Sequence, residues 1–351
     1  MKKYVLFRVL TLFVIILIAA CTNGENKEKE TGTGEEQVIE KEKDKENDID
    51  PSLIIAEGFN FENFPKIDGS TSTEPLNMIL VCKLLGIKYE WLEGSYRRWY
   101  VEPVIKNVVN SMKFWRLIKT SQTHQSFINL IDKEADIILT ARKMSPDEKT
   151  YADEKGVTLI ETPVALDAFI FIVNPDNPIE SLTITQIQDI YSGNITSWGE
   201  VGWNRIIMGN DYTPLIKPYV RNENSGSQEL METLVMKNLN MADLLVNYFE
   251  LIVFNMSGAV DIVFEEDNAI CYTVYYYKEY IAKGIYVKTI AINGIHPNKE
   301  TIANKTYPLN AEVYAVIRSD LDQESTAYKL YELLQSETGK KIIEESGYVP
   351  Y

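Results

Sequence analysis

Three stretches of the chain collect hydrogen-bond donors immediately ahead of helical periodicity. Asp68-Gly69-Ser70-Thr71-Ser72-Thr73 places four hydroxyl residues before an apolar pattern at Leu76, Ile79 and Leu80, with Pro75 in the first turn and Gly86 near the end. Proline suits a helical position whose amide is unpaired anyway, and glycine permits close backbone approach. Free amides and hydroxyls at a helix start form a natural seat for an anion. Thr73 or Ser72 as an ordinary N-cap would use one hydroxyl and leave the others unexplained.

Arg221-Asn222-Glu223-Asn224-Ser225-Gly226-Ser227-Gln228 precedes Leu230, Met231 and Leu234 on one helical face. Ser225 and Gln228 have capping-box spacing, so helix initiation explains part of the segment. It does not explain Arg221, whose planar guanidinium matches two oxygens of an anion held by the amides of the Ser225-Gly226-Ser227 turn. The third stretch, Thr120 to Ser126, leads into a helix at Phe127 and is followed by the apolar run Ala135 to Leu139 and then Thr140-Ala141-Arg142. Thr123 and Thr140 are expected to face one cleft from helix start and strand end, whereas His124 reads as a structural residue. Each charge-assisted hydrogen bond contributes on the order of 1.5 to 3 kcal/mol, and micromolar affinity needs only about 8 kcal/mol net.

The elements that must position these loops alternate. Apolar runs at Ala135 to Leu139, Ala168 to Val173, Ile285 to Ile292 and Val313 to Ile317 read as buried strands. Helical periodicity covers Leu76 to Leu85, Phe127 to Ile131, Ile184 to Ile190, Leu230 to Met236 and Ala327 to Glu345. Such alternation predicts an α/β architecture with largely parallel sheets. About 300 residues beyond the N-terminal region suit two lobes. Asn174-Pro175-Asp176-Asn177-Pro178 ends a strand abruptly and marks a first crossing between them, with a return near Tyr307 to Tyr314. Lobe one then comprises 51–168 plus about 310–351, and lobe two about 169–309.

Lys2, Lys3 and Arg8 precede an apolar run from Val9 to Ala20 that is short for a bilayer span, so residues 1–20 read as an export signal. Ile18-Ala19-Ala20-Cys21 resembles a lipobox, which implies a diacylglyceryl anchor on Cys21 and an extracytoplasmic, membrane-attached location. Residues 21–50 are acidic and nearly free of apolar side chains, the composition of a disordered tether. The net charge of −16 becomes about −19 once the three cations of residues 1–20 are removed. Nucleic acid and anionic lipid headgroups are therefore poor partners, and membrane contact is expected through the lipid anchor alone. Two histidines argue against a metal site; no cofactor is expected, and the chain reads as a monomer. Cys82 and Cys271 sit in apolar contexts where a free thiol is the default, with their pairing left open.

Five ordered segments resemble phosphate-binding lipoproteins of the PstS type: the Asp68 to Thr73 loop, Ala135-Asp136-Ile137-Ile138, Pro163 to Pro178, Ile190 to Trp198, and Arg221 to Gln228. The resemblance runs from about Ile54 to Pro350. It implies a two-lobed class II periplasmic-binding-protein fold, each lobe a mainly parallel sheet flanked by helices, with a hinge of two crossing segments. It implies capture of phosphate for the membrane permease of an ABC importer. The ligand contacts it implies are Ser70 and Thr71 in lobe one and Arg221, Ser225, Gly226 and Ser227 in lobe two, with Ser72, Thr123 and Thr140 as further hydroxyl candidates. In one respect the chain departs from the family. The aspartate with which such proteins accept the proton of monohydrogen phosphate is absent from Leu139-Thr140-Ala141-Arg142, which leaves sulfate, molybdate, tungstate or an organophosphate open as ligands. A cell-surface sensor or recruitment protein on the same scaffold is the alternative function. Catalysis is not expected, since neither His124 nor His296 lies in a nucleophile setting.

Overall fold

The strand that ends in the apolar run Ala168 to Val173 becomes the spine of the molecule. In the computed structural model, which describes residues 48–203, 205–207, 210–243 and 249–351, Leu159–Val173 is a strand of 15 residues, fully buried from Val164 onward. The continuous apolar pattern reflects cover on both faces. Its first part pairs antiparallel with Asn310–Arg318, and its end pairs antiparallel with Ala269–Val274. Ile67–Gly69 and Ile137–Thr140 continue the sheet on one side, and Lys217–Pro218 on the other. Parallel pairing occurs at these two ends, Ile67–Gly69 with Ile137–Leu139 and Lys217–Pro218 with Ala269–Ile270. The middle is antiparallel because one strand carries the chain out and another brings it back. The expected export signal, Cys21 and the tether as far as residue 47 lie outside the described residues.

The chain is already engaged at Asp48, whose carboxylate accepts the amides of Lys106 (2.7 Å) and Asn107 (2.9 Å). Asp50 then donates its amide to the Gly86 carbonyl. Glu74–Leu85 is buried on nearly every side, as a helix apolar all round must be, and it ends at Gly86, whose φ of +69° is cheap only for glycine. Two expected helices differ in detail. Ala327 to Glu345 is broken at Ser336, which is extended and caps a second helix, giving Thr326–Gln335 and Glu337–Ser346. Leu230 to Met236 is a short helix, Gly226–Leu230, continued by a π-helical turn at Met231–Met236. Cys82 and Cys271 are both free and buried, and burial pushes each thiol up to about 12.

The sheet changes partners at Ala168, where Phe169 donates its amide to Leu309 (2.9 Å). Beside it sits Asp167, 2% exposed, whose Oδ1 accepts the amides of Ala168 (2.8 Å) and Tyr276 (3.0 Å). Its Oδ2 has no partner among the described residues. Desolvation raises this carboxyl to about 7, against the two amide bonds, which lower it. A folded-state pKa above the unfolded one means stability that is complete below about pH 4 and lost as pH rises through about 7. The difference between protonation states is roughly 4 kcal/mol, partly offset in Asp167→Asn by a new unpaired amide. The Asp167→Asn protein should therefore melt higher than wild type at pH 8, by about 1 to 3 kcal/mol, with the gap shrinking toward pH 4. Paired thermal melts across this range check it, and a gap that grows on acidification would refute it.

Candidate anion-binding site

The first loop is pinned from below. Asp68 is fully buried and accepts the amides of Gly69 (2.7 Å) and Ser121 (2.9 Å) and the side-chain amide of Asn129 (2.6 Å), which ties the strand end to the third loop. Ser70 donates its amide to Leu139 (3.0 Å), and the Thr73 hydroxyl is placed to donate to the carbonyls of Ser70 and Leu139. Thr73 is therefore a fastener and not a cap. The Ser70 hydroxyl accepts the Ala141 amide (3.0 Å) and shares a hydrogen bond with the Thr123 hydroxyl (2.8 Å). Thr123 opens the helix Thr123–Ile131, preceded by Gln122 at φ +69°. Backbone strain of this kind at a non-glycine residue costs on the order of 1 to 3 kcal/mol and clusters at ligand sites.

The second loop is held by its own side chains. Ser225 caps the helix Gly226–Leu230 by accepting the Gln228 amide (3.1 Å). The reciprocal half of the expected capping box is missing, because Gln228 Oε1 instead accepts the Arg221 amide (3.2 Å) and the Tyr272 hydroxyl (2.5 Å). Arg221 follows Val220 on a short strand parallel to Ile252–Val253. Its Nε donates to the Val253 carbonyl (2.8 Å), and its Nη1 lies 3.5 Å from the Ser227 hydroxyl.

These loops face each other across a cavity of about 30 Å³. Ser70, Thr71, Ser72, Gln122 and Thr123 form one side, Arg221, Ser225, Gly226 and Ser227 the other, with Leu230, Met256 and Val274 as apolar wall. The two sides nearly touch: a methyl group on Gly226 would lie 2.5 Å from the Thr123 hydroxyl oxygen. Thr140 is not among the lining residues; it is buried and donates its hydroxyl to the Arg142 carbonyl (2.9 Å). A hydroxyl at a strand end bonds the nearest free carbonyl before it reaches a cleft. Gln122 and the apolar wall escaped the sequence reading, Gln122 because nothing in its residue type signals a positive φ.

Two buried arginines now separate. Arg142 is paired bidentately with Glu148 (2.7 and 2.8 Å), whose Oε1 also contacts His124 Nδ1 (3.0 Å), so that cation and that histidine are both engaged. Arg221 is 5% exposed and has no carboxylate within ion-pair distance among the described residues. Burial pushes its pKa down, the mark of a charge held without a counter-ion. A buried unpaired cation costs several kcal/mol, and here it faces hydroxyls, amides and a space fit for a small anion. No carboxylate lines the cavity among the described residues.

Further from the cavity, the hairpin of Tyr89–Glu93 and Trp99–Pro103 reaches the helix Met256–Glu265. Arg98 donates to Asp261 (2.8 Å) and to the Ser257 carbonyl (3.1 Å), and Lys283 Nζ sits 3.5 Å from the Trp99 ring centre. The ion pair is partly exposed and contributes less than about 1 kcal/mol. Arg98→Ala should therefore weaken anion binding only a few-fold in calorimetry. A loss as large as that from a cavity residue would contradict this.

A family model described as a PBP superfamily domain matches residues 110–335. The chain belongs to the PBP superfamily. Similar members include the protein named "Phosphate-binding protein PstS" of Borreliella burgdorferi, 25% identical over 223 residues that cover 63% of this chain and 74% of that one. A second, of the same name, from Pseudomonas aeruginosa is 25% identical over 238 residues, covering 63% and 69%. Among solved structures, an ABC-type phosphate transport receptor from Vibrio cholerae superposes with a TM-score of 0.54 at 23% identity, over 81% of this chain and 99% of that one. A phosphate-binding protein from Stenotrophomonas maltophilia gives 0.53 at 11% identity, over 82% and 90%. These likenesses show the two-lobed α/β fold of the superfamily.

Proposed function

We propose that this chain is an extracytoplasmic solute-binding protein that captures inorganic phosphate between its lobes for an ABC importer. The observation that carries the reading is Arg221, buried against the cavity with no counter-ion among the described residues, and the relatives named as phosphate-binding proteins supply the ligand. Ser70, Thr71, Ser72 and Thr123 contribute donors from residues 51–168 with about 310–351. Arg221, Ser225, Gly226 and Ser227 contribute from about 169–309. An anion bridging both sets favours the closed arrangement, a hinge motion about the crossing strands. The chain works as a monomer held to the membrane through Cys21, and docks on the permease when closed. The superfamily is one of substrate-binding proteins, and the site's work is binding, not bond breaking.

The cavity's size limits the ligand. About 30 Å³ admits roughly two water-sized bodies, which suits a small inorganic ion better than a phosphosugar. Selectivity among oxyanions should be shallower than a carboxylate would give. Hydroxyls both donate and accept, so the Ser70 and Thr123 pair can meet a protonated or an unprotonated oxygen. A thermal-shift series on the full chain tests this by mass action. Phosphate should raise Tm most, sulfate and molybdate less, and glycerol phosphate not at all; a flat response to phosphate would defeat the proposal.

A further inference from the structure

The surface helix Val108–Phe114 presents the wrong face to solvent for an ordinary globular protein. Phe114 anchors it in the core, while Val108, Val109, Met112 and Trp115 are 74, 60, 55 and 45% exposed. Positions 108, 112 and 115 follow helical spacing, so the exposed apolar groups form one stripe. A contiguous exposed patch of this kind marks an interaction surface more often than chance.

Its surroundings identify the partner. Between Ile105 and Lys119 the sequence carries Lys106, Lys113, Arg116 and Lys119 and no carboxylate, in a chain whose net charge is −16. Lys113 and Lys119 are shared with Glu62 and Glu134; Lys106 and Arg116 have no ion pair among the described residues. Screening limits the reach of the distant acidic charge to about 8 Å at physiological salt, so a local cationic rim acts on whatever touches it. The chain also enters the fold here, since Asp48 accepts the amides of Lys106 and Asn107 at the base of this helix. The 26 residues from 22 to 47 reach at most about 90 Å, so a lipid anchor at Cys21 leaves this surface free to touch a bilayer.

We infer that the stripe of Val108, Val109, Met112 and Trp115, rimmed by Lys106 and Arg116, seats on an anionic lipid surface. An apolar face carrying a tryptophan, with cations at its edge, is the chemistry of an interfacial helix. This revises the expectation drawn from net charge that contact runs through the anchor alone. The inference rests on the anchored reading of Cys21. It adds an orientation: the cavity would be presented at a fixed height and angle above the membrane.

The test uses the mature lipidated protein reconstituted into vesicles of phosphatidylglycerol and phosphatidylcholine with brominated acyl chains. Tryptophan emission of the wild type should be quenched, the quenching should be lost in Trp115→Phe, and it should fall in Lys106→Glu/Arg116→Glu and in vesicles of phosphatidylcholine alone. Phosphate affinity should stay unchanged in all variants, which controls for folding. Flotation separates the two ways of failing. Protein that floats while wild type and Trp115→Phe quench equally overturns the lipid-facing surface alone, as when the stripe is covered by the chain's own N-terminal segment or by another protein. Protein that does not float overturns the anchor and the inference with it.

Discussion

Replacing Arg221 with methionine is expected to lower the affinity for inorganic phosphate by roughly 10²- to 10³-fold while the unliganded protein melts no lower than wild type. The two effects have one cause. In the free protein the buried guanidinium has, among the described residues, only the Val253 carbonyl and a long contact to Ser227 as partners, and its depressed pKa records the cost. Methionine keeps most of the volume and removes the uncompensated charge, a kind of exchange that is often neutral or stabilising. The bound anion, in contrast, loses a charge-assisted, desolvated partner, for which truncation costs about 2 to 5 kcal/mol. Calorimetry for affinity and a thermal melt for stability read the two halves separately. A destabilised variant that still binds phosphate as tightly as wild type would place the arginine's role in folding and remove it from the site.

Gly226→Ala should produce the second largest loss, on the order of 10- to 100-fold in phosphate affinity, without touching any proposed donor side chain. The added methyl would lie 2.5 Å from the Thr123 oxygen and 3.3 Å from Thr123 Cβ, so the two sides could not approach as they do here. Overpacking of this size costs about 1 to 3 kcal/mol, and opening the cleft relieves it at the expense of donors that no longer reach across. Alanine suits the first turn of a helix, so Gly226–Leu230 itself should be unharmed. Small-angle scattering should show a larger radius of gyration for the variant in saturating phosphate. Adding Thr123→Ala should restore part of the closure, because the nearest clashing atom is gone. Wild-type affinity in Gly226→Ala would mean that the close approach of the two loops plays no part in binding.

How far these residues could be read from sequence depends on the range of the interaction. The three loops were visible because each is a local feature, hydroxyls and glycine ahead of a periodic apolar pattern, as in Ser70 to Leu80 and Ser225 to Leu234. The long strand was visible from Ala168 to Val173, where burial on both faces leaves no alternation to misread, but not from Leu159 to Asp167, where Glu161, Pro163 and Asp167 interrupt the run. The meeting of the loops was supplied by resemblance alone. Ser70 and Thr123 bond across 53 residues, and nothing local specifies that contact. The two arginines show the same limit. Arg142 lies just beyond one strand and Arg221 at the end of another, yet only the fold reveals that Glu148 neutralises the first and that no described carboxylate reaches the second. Thr140 shows a further limit, since its residue type does not reveal that its hydroxyl donates to the Arg142 carbonyl. The break at Ser336 falls in the run Gln335 to Lys341, which has no large apolar side chain to mark a helical face, and the serine that caps the next helix interrupts the backbone there.

The central claim is that one phosphate ion occupies the cavity facing Arg221. Equilibrium dialysis of the phosphate-depleted full chain against radiolabelled inorganic phosphate tests it most directly. The account predicts saturable uptake of one ion per chain at micromolar or lower concentration, displaced by unlabelled phosphate and absent from the Arg221→Met protein. Failure of the wild type to retain label at millimolar phosphate, or equal retention by both proteins, would contradict it.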